Sequence, residues 1–425
     1  MPDSAIDAVI VGGGPAGLAT AIHARHAGLE VTVVEAEHPP IDVACGEGLM
    51  PRGCAELSAL GVEPGEIPGR PLVGIRWLDG DQGAAGRFLE GAGRGIRRRR
   101  LQPALAERAE GLGVRLLWGT RCVGLRRDGI ETDRGPLRAR WVVGADGRRS
   151  RVRRWAGLEG TPRRRPRFGQ RRHVRTEPWS DHVEVHWGEG CEAYVTPVAD
   201  DLVGVAILSS EPGRFEDRLA RLPRLAEKLK GGRTASRLQG AGPFGARARG
   251  VARGELALVG DAATCLDPIT GEGISLALGQ ARALVNAMLA GDLRRYAAAH
   301  RRQERLPRLL TAAVLLLGRR PGLRRRTMRI LAERPSLFDR RLSAADGHAR
   351  TLPGAAAGLG LRLLLPEERL DWGQRAAWGM ATAVVVGGLL NLTWSVSPAV
   401  VLAFLAIGIG AWAADVGEQR RRLRE

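Results

Sequence analysis

The segment that most restricts the fold of this chain is AIDAVIVGGGPAGLATAIHARHAGLEVTVVEAE, residues 5–37. The apolar run at 8–11 and the β-branched run at 31–34 are typical of short buried strands, and residues 15–27 are compatible with a helix. A tight glycine turn separates the first strand from the helix. The pattern predicts a Rossmann-like unit and places the chain in the α/β (α+β) class.

The glycines of this turn indicate a nucleotide site. Gly12, Gly14 and Gly17 stand in G-x-G-x-x-G register. They permit a tight turn, the approach of a pyrophosphate to the backbone, and close packing of helix on strand. Ala16 lies in the first helical turn, whose free N–H groups face the phosphates, and Glu35 ends the second strand, where a carboxylate accepts hydrogen bonds from a ribose. These five residues predict a dinucleotide site that can hold NAD or FAD.

Two later stretches distinguish these cofactors. RWVVGADGRRSRVRR, residues 140–154, is a strand followed by Asp146 and Gly147. GELALVGDAATCLDPITGEGISLALGQARALV, residues 254–285, is an apolar strand followed by Asp261, a loop and a glycine-rich start to an apolar helix. Together with the first motif, these stretches resemble the flavoprotein hydroxylase superfamily, of which p-hydroxybenzoate hydroxylase is a member. The resemblance implies that the cofactor is FAD.

The same resemblance implies roles for residues of both stretches. Asp261 is implied to bond the ribityl or pyrophosphate part of FAD. Asp146 and Gly147 are implied to lie near the cofactor cleft, where the family associates them with both FAD and nicotinamide. NAD(P)H or another electron donor is therefore expected as a co-substrate.

The start of the second apolar helix is implied to contact the flavin ring. Pro268 lies in the loop before this helix, and the backbone of Gly271, Gly273 and Ile274 is implied to approach the pyrimidine edge of the flavin. The positive end of the helix then points at N1 and the C2 carbonyl, which stabilises the anionic reduced flavin.

Two more cofactor contacts follow from the resemblance. RRRRLQPAL, residues 97–105, resembles the family segment in which an arginine precedes a helix and contacts FAD, and Arg98 is the best match. The backbone at Val123, after GTRC, is where the family clamps adenine. From the residues alone, Arg98 is equally interpreted as one more solvated arginine in a run of four.

The loop CGEGLMPRG, residues 45–53, suggests the type of chemistry. Cys45 occupies the position at which typical aromatic hydroxylases of the superfamily have an arginine. A cysteine there resembles the geranylgeranyl reductase branch, in which it sits beside flavin and substrate. The branch's Y-x-W-x-F-P stretch is reduced here to EAYVTP, residues 192–197, so strict geranylgeranyl specificity is not expected. Cys45 and Glu47 are the candidate catalytic residues, although a small apolar filler is the other interpretation of Cys45.

The middle of the chain predicts the sheet of a substrate domain. Residues 168–210 alternate as strands do, with a turn at 199–201. His182 and His186 lie on one face of such a strand, four residues apart, which is too far to share an ion easily. No metal site is predicted.

Composition excludes several other classes of protein. The 425 residues suffice for two or three domains that need no disulfide bond or structural metal ion for stability. The spacing of the five cysteines matches neither a disulfide framework nor a zinc site. The net charge of +19 comes almost wholly from arginine. Nucleic acid, an anionic membrane surface and a compositional bias all account for such a charge, but the arginine runs are not interleaved with aromatic residues. We therefore expect no nucleic-acid partner.

The C-terminal region predicts membrane attachment. Residues 378–414 contain no charged residue and are interrupted by TWSVSP, while arginines lie on both sides. Two helices of about 17–20 residues joined by that turn match the hydrocarbon thickness, and basic outer ends predict that both termini are cytoplasmic. We expect attachment to the cytoplasmic face of the cell membrane. A buried helical pair or a dimer-forming hairpin in a soluble protein is the other interpretation.

The sequence therefore predicts a Rossmann-like FAD-binding domain with an interleaved β-sheet substrate domain and a C-terminal helical region. The predicted ranges are 1–165 for the first part of the FAD-binding domain with an interleaved segment at 65–100, 166–240 for the substrate sheet, 241–300 for the second FAD-binding part, 301–370 for a basic helical region, and 371–425 for the membrane hairpin and basic tail.

Three functions follow from these predictions. The first is reduction of an isoprenoid, quinone-linked or polyene double bond in a lipophilic small molecule. The second is oxygenation of such a molecule by an FAD-dependent monooxygenase. The third is a basic binding or scaffold protein that carries a vestigial flavin fold.

Overall fold

The structure is a computed structural model that describes residues 6–161 and 166–345. Its strands are β1 (Ile6–Val11), β2 (Val31–Glu35), β3 (Gly48–Leu49), β4 (Gly69–Leu72), β5 (Gly74–Asp79), β6 (Gln82–Arg87), β7 (Gly93–Ile96), β8 (Arg115–Trp118), β9 (Cys122–Arg126), β10 (Gly129–Thr132), β11 (Gly135–Gly144), β12 (Arg167–Arg175), β13 (His182–Trp187), β14 (Cys191–Ala199), β15 (Leu202–Ser209), β16 (Arg233–Thr234), β17 (Gln239–Phe244), β18 (Ala252–Arg253) and β19 (Leu256–Leu258). Its helices are α1 (Pro15–His26), α2 (Pro51–Ala59), α3 (Arg98–Gly111), α4 (Arg151–Trp155), α5 (Phe215–Ala220), α6 (Pro223–Lys228), α7 (Gly273–Leu289), α8 (Leu293–Arg319), α9 (Pro321–Glu333) and α10 (Pro335–Ala345).

The first sheet is built on the N-terminal unit. Its strands β8, β2, β1, β11 and β19 are parallel and adjacent in that order. The helix α1 connects β1 to β2, because parallel neighbours require a crossover. The unit β1–α1–β2 matches the predicted strand, helix and strand to within two residues at each end. The predicted Rossmann-like fold is confirmed.

The helix α1 is buried between this sheet and other helices. Leu18 and Ile22 are fully buried, and α1 packs against α3 and α7. Each of these two side chains contributes about 1.5–3 kcal/mol of transfer free energy when it leaves water. Because α1 is covered on most sides, its residues up to Ile22 are apolar or small on every face, and its basic side chains are confined to the last turn at His23, Arg25 and His26.

The second sheet has the order β16–β12–β15–β14–β13–β5–β6, with β17 paired to β12. The β14–β15 hairpin turns at 200–201, within the predicted turn. Strands β5 and β6 at one end of the second sheet come from the segment 65–100, and β5 pairs with β13 in parallel. The interleaved segment thus contributes strands to the substrate sheet. A small third sheet, β3–β7–β4, lies beside β14.

The long helices after α7 pack against both sheets. Tyr296 of α8 donates a hydrogen bond from its hydroxyl to the Leu258 carbonyl (2.7 Å), and Phe338 of α10 packs edge-on against Trp77 of β5 at a ring-centroid distance of 5.0 Å. The predicted domain boundary at 300 falls inside α8. Within residues 6–161 and 166–345, no helix has the length and apolar character needed to cross a bilayer. The predicted hairpin at 378–414 and the basic tail lie outside the described residues.

Candidate active site

A cavity of about 960 Å³ is lined by residues of both large sheets. Five parallel strands of the first sheet end at it, because the residues that follow β1, β2, β8, β11 and β19 all line its wall. Ligands of open α/β sheets bind at such carboxyl ends. The predicted site residues that line this cavity are Gly12, Gly14, Ala16, Glu35, Cys45, Glu47, Arg98, Asp146, Gly147, Asp261, Pro268, Gly271, Gly273 and Ile274.

Two predicted residues do not line the cavity. Val123 is 43% exposed and lies beyond the lining residues Thr120, Arg121 and Cys122. Gly17 is buried against the first strand, and a Cβ atom there would lie 1.9 Å from the Gly12 carbonyl oxygen. The third glycine of the motif therefore has a packing role, as its position predicts.

The glycine turn leaves room for a ligand at the start of α1. Gly12 has φ +118°, and a Cβ atom on it would lie 2.3 Å from the Ala145 carbonyl oxygen. No side chain caps the first turn of α1. Its N–H groups and positive dipole end therefore remain available for an anionic group.

Glu35 holds the shape of this turn. Its carboxylate accepts hydrogen bonds from the backbone N–H of Gly13 (2.8 Å) and of Glu37 (3.0 Å). The fully buried Gln102 braces the turn from the other side, because its Nε2 donates to the Gly13 carbonyl (3.2 Å) and its Oε1 accepts from the Ile41 N–H (3.3 Å). Gln102 was not predicted from the sequence. The one signal for it is that a polar residue stands among the apolar residues of the buried face of α3.

Arg98, at the first position of α3, is turned towards the glycine turn. A Cβ atom on Gly14 would lie 3.5 Å from Arg98 Nη2. Arg97 and Arg98 are half-buried, whereas Arg99 and Arg100 are exposed. The Nε atoms of Arg97 and Arg98 are buried and have no hydrogen-bond partner within the described parts of the chain, but only Arg98 also lines the cavity. This arrangement places a guanidinium with an unpaired Nε where a dinucleotide has its phosphates.

The second motif is tied to the third by a buried arginine. Asp146 caps α4, accepting hydrogen bonds from the Ser150 hydroxyl (2.5 Å) and from the backbone N–H of Arg151 (2.7 Å). Arg153 of α4 then donates from Nη1 to the Ala262 carbonyl (3.0 Å). The turn that carries Asp261 is therefore fixed by residues more than 100 positions earlier.

Asp261 lies in a 3₁₀ turn at Gly260–Ala262, and its side chain is exposed to the cavity. The surrounding walls remove water and raise the pKa of its carboxyl group, while Arg148 and Arg98 oppose that rise. The helix α7 begins at Gly273, after Gly271 at φ +72°. The residues at the start of α7 line the cavity, so its positive end also faces the cavity.

The loop before α7 is held by the second sheet. The Tyr194 hydroxyl donates to the Ile269 carbonyl (2.8 Å). Arg167 of β12 donates to Asp267 (2.9 Å) and is also paired with Glu192. All three members of this ion-pair group are buried. The sheet that covers the cavity thus positions the loop that would face the flavin.

Cys45 and Glu47 lie side by side in the cavity wall. The backbone N–H of Glu47 donates to Cys45 Sγ (3.4 Å), and burial raises the pKa of the Cys45 thiol, so the sulfur is protonated. Glu47 is buried and has φ 60°, an unfavourable conformation for a residue with a side chain. Its Oε1 accepts from the Arg98 N–H (3.0 Å), and its Oε2 contacts His173 Nε2 (2.6 Å). His173, which the sequence analysis missed, is fully buried.

One face of the second sheet and two helices form an apolar wall on the other side of the cavity. We define this apolar wall by residues that all line the cavity and carry no charge: Ile75, Trp77, Phe88, Val183, Val185, Leu208, Leu310, Val314, Phe338 and Leu342.

The two histidines of β13 face away from the cavity. Val183 and Val185 line it, so the alternating side chains of His182, Glu184 and His186 lie on the opposite face. His186 Nε2 is 2.9 Å from Glu184 Oε2, and His182 Nδ1 is 2.6 Å from Asp181. In the described part of the chain, no three His, Cys, Asp or Glu residues are grouped so that they could hold a metal ion.

The glycine turn, Arg98 beside it and the starts of α1 and α7 fit a dinucleotide, and the family that the chain matches makes the class that of the flavin-dependent oxidoreductases. Residues 5–301 match the family described as FAD binding domain. The chain belongs to this family and is an FAD-dependent oxidoreductase of the p-hydroxybenzoate hydroxylase-like superfamily. The predicted superfamily is confirmed, which sets aside the scaffold hypothesis.

The chain is also similar in sequence or in structure to individual proteins of known name. It is 28% identical over 322 residues to a menaquinone reductase of Mycobacterium tuberculosis, covering 69% of this chain and 79% of that protein. It is 29% identical over 299 residues to digeranylgeranylglycerophospholipid reductase 1 of Methanothermobacter thermautotrophicus, covering 63% and 73%. A flavoprotein/dehydrogenase from Cytophaga hutchinsonii has the same fold, with a TM-score of 0.69 at 20% identity over 81% of this chain and 94% of that one.

Proposed function

We propose that this oxidoreductase reduces a carbon–carbon double bond in the isoprenoid or polyene chain of a lipophilic molecule, which includes the tail of a quinone. The observation that carries the proposal is the apolar wall, which shares one cavity with Cys45 and the candidate cofactor residues. An apolar surface of this size, which Arg341 of α10 borders, suits a hydrocarbon chain better than a small polar substrate. The names of the two reductase relatives support the same substrate class.

The side chains divide the work of such a reduction. FAD held in this cavity would, in its reduced form, supply the hydride equivalent that one carbon of the double bond needs. The other carbon needs a proton, and the Cys45 thiol, which lines the cavity and is protonated, is the donor that we assign. Arg98 and the start of α1 bind the phosphates of the cofactor, while the apolar wall holds the chain and excludes water.

The electron donor and the location are also part of the proposal. NAD(P)H or a ferredoxin-like protein reduces the flavin. Residues 371–425 attach the protein to the cytoplasmic face of the cell membrane, where a lipophilic substrate is concentrated. This assignment rests on the charge-free segment 378–414 and on the arginines beside it.

The decisive experiment is anaerobic re-oxidation of the reduced flavin. Purified holoenzyme is reduced with dithionite under nitrogen and mixed with a menaquinone or a geranylgeranyl lipid in detergent. We expect the flavin to be re-oxidised and two hydrogen atoms to be added to the isoprenoid chain. Fragment masses locate them there, because reduction of a quinone ring would also add two. A strict requirement for oxygen, with one oxygen atom in the product, would instead establish the monooxygenase.

A matched pair of variants tests the role of Cys45. We expect Cys45→Ser to bind FAD normally and to be reduced normally, but to be re-oxidised by the lipid about 10²–10⁴-fold more slowly, the usual range for a lost proton donor. Cys191→Ser is the control, because Cys191 is buried in the second sheet and does not line the cavity. Equal rates for both variants would assign Cys45 a packing role.

A further inference from the structure

One charged side chain borders the apolar wall. Five described residues of α8 and α10 line the cavity; four of them are the apolar Leu310, Val314, Phe338 and Leu342, and the fifth is Arg341. Arg341 is half-buried, and it takes part in no hydrogen bond or ion pair with the described residues. Burial lowers the pKa of its guanidinium, and no neighbouring carboxylate opposes this change. In the described part of the chain, the cavity therefore has a cation without a counter-ion at its apolar side.

The packing of α10 on β6 fixes the position of Arg341. A Cβ atom on Gly86 of β6 would lie 2.7 Å from the Phe338 ring, so the helix lies directly against the strand. The Asp339 carboxylate accepts a hydrogen bond from the backbone N–H of Arg87 (2.8 Å). The turn of α10 before Arg341 is thus anchored, and the carboxylate of this helix is already bound to β6.

A second arginine of these helices shows how the fold stabilises a buried cation. Arg324 of α9 is 5% exposed, donates from Nε to Asp79 Oδ2 at the end of β5 (2.8 Å) and lies over the Trp187 ring (5.3 Å). Buried cations need such partners, because removal of a charge from water is costly without them. Arg341 has no equivalent partner among the described residues, which is the pattern expected of a cation whose counter-ion is a ligand.

The apolar wall connects Arg341 to the loop that carries Cys45. It begins at this loop, because a Cβ atom on Gly48 would lie 3.2 Å from Val183 Cγ2. It continues through paired residues of β13 and β5 to α10, in the order Val183 and Ile75, Val185 and Trp77, and Phe338. Phe338 lies about one helical turn before Arg341. An extended hydrocarbon chain on this wall therefore has one end near Cys45 and the other near Arg341.

We propose that Arg341 binds the phosphate headgroup of an isoprenoid lipid whose chain lies along the apolar wall with a double bond at Cys45. A guanidinium offers two parallel N–H donors to the oxygens of a phosphate, and such a charged contact is stronger than a contact with a neutral group. A neutral quinone ring would leave the charge of Arg341 unmatched. The inference rests on the proposed function for the isoprenoid chain, and it adds the class of headgroup and the residue that selects it.

The first test measures lipid binding without turnover. Oxidised holoenzyme is titrated in a non-ionic detergent with geranylgeranyl phosphate or with geranylgeraniol, which has the same chain and no charge, and binding is followed by flavin fluorescence. We expect Arg341→Gln to bind the phosphate about 10- to 100-fold more weakly than wild type, the range for a lost hydrogen bond to a charged group, and to bind the alcohol with unchanged affinity. Each lipid is compared only between proteins, so its partition into detergent cancels.

Two controls separate the headgroup contact from the overall charge of the protein. Arg325→Gln removes the same charge from an exposed residue of α9 that does not line the cavity, and we expect wild-type affinity for both lipids. Inorganic phosphate at the concentration of the lipid is expected to leave lipid binding unchanged. Equal weakening in Arg325→Gln and Arg341→Gln would show a non-specific attraction, and displacement of the lipid by inorganic phosphate would show a site for the free anion. Either result would overturn the proposal.

The second test measures anaerobic re-oxidation of the reduced flavin by the same two lipids. We expect Arg341→Gln to keep normal flavin content and normal reduction by dithionite. The concentration of geranylgeranyl phosphate that gives half the maximal rate is expected to rise about 10-fold or more at a nearly unchanged maximal rate, because Arg341 contacts the headgroup and not the reacting carbons. With geranylgeraniol, neither quantity is expected to change. A lower maximal rate with both lipids would assign Arg341 a structural role and overturn the proposal.

The two tests separate failure of this inference from failure of the proposed function. If binding of the phosphate depends on Arg341 but neither lipid re-oxidises the flavin, the reductase proposal fails and the role of Arg341 stands. If Arg341→Gln binds the phosphate as wild type does, that role is overturned, and re-oxidation of wild-type flavin by geranylgeraniol still decides the reductase proposal. Should Arg341→Gln not fold, Arg341→Lys keeps the charge without the paired donors and is expected to lose about 3- to 10-fold in phosphate affinity. Unchanged phosphate affinity in Arg341→Lys would then overturn the proposal.

Discussion

At the scale of single residues, the site depends on side chains and glycines whose surroundings allow little substitution. Asp261 faces the cavity between Arg98 and Arg148, and Gly12 and Gly17 leave no space for a Cβ atom. A single substitution at each position tests one contact.

Replacement of Asp261 tests the cofactor site. Asp261→Ala removes a group predicted to bond the ribityl or pyrophosphate part of FAD, and a hydrogen bond to a charged group contributes about 1.5–3 kcal/mol. We expect FAD to bind about 10- to 100-fold more weakly, as measured by fluorescence titration of apoprotein with FAD. Asp261→Asn keeps the shape and is expected to lose less affinity. Equal affinity in all three proteins would place Asp261 outside the cofactor contacts.

Replacement of Gly17 tests the packing of α1 on β1. In Gly17→Ala the added methyl group would lie 1.9 Å from a backbone oxygen, so helix and strand must separate. We expect a loss of about 1–3 kcal/mol in the free energy of unfolding, measured by urea denaturation, with lower flavin content. Gly111→Ala at the end of α3 is the control, because a Cβ atom there meets no atom within 4 Å, and it should be neutral or slightly stabilising. A fully stable, flavin-loaded Gly17→Ala protein would contradict this account.

At the scale of elements, the two faces of β13 have different roles: one lines the cavity and the other carries a buried ion pair. Its valines face the cavity, and its opposite face carries the buried pair Glu184–His186. Burial by itself raises the pKa of Glu184, but hydrogen bonds from His186 and Trp179 and the charge of Lys228 outweigh burial and hold the pKa at about 2.

This pair predicts a pH dependence of stability. Because the folded-state pKa of Glu184 is depressed below its ordinary 4.5, its contribution is complete above pH 4.5 and is lost as pH falls towards about 2. The contribution is on the order of 3 kcal/mol. We expect Glu184→Gln to be less stable than wild type at pH 6 in urea denaturation, and the difference to shrink as pH falls from 4.5. A difference that is constant with pH would show that the ionised carboxylate is not what stabilises β13.

At the scale of the whole molecule, the membrane attachment that we propose for residues 371–425 predicts how the protein responds to salt. If residues 378–414 form two membrane spans, burial of apolar helices holds the protein on the membrane, and salt does not weaken this burial. If only arginines bind anionic headgroups, about 1 M salt screens the attraction, since the Debye length is then about 3 Å. We expect full-length protein to remain with membranes after a high-salt wash and to be released by detergent. Its release by salt alone would contradict the hairpin.

The sequence by itself determined the parts of this protein that are local along the chain. The unit β1–α1–β2 was predicted to within two residues, because strand and helix periodicity and glycine turns depend on neighbouring residues. The superfamily was indicated by a resemblance, since the three motifs are each short stretches and occur in the order that the family has.

The tertiary structure alone decided which distant residues meet. Glu47 and His173 are 126 positions apart, and Arg167 and Asp267 are 100 positions apart. No periodicity links such pairs, because they come together only when β12 of the second sheet closes over loops of the first domain. Arg98 is half-buried beside Gly14 and Glu47 while Arg99 and Arg100 are exposed, a difference that depends on these neighbours rather than on the run of arginines itself.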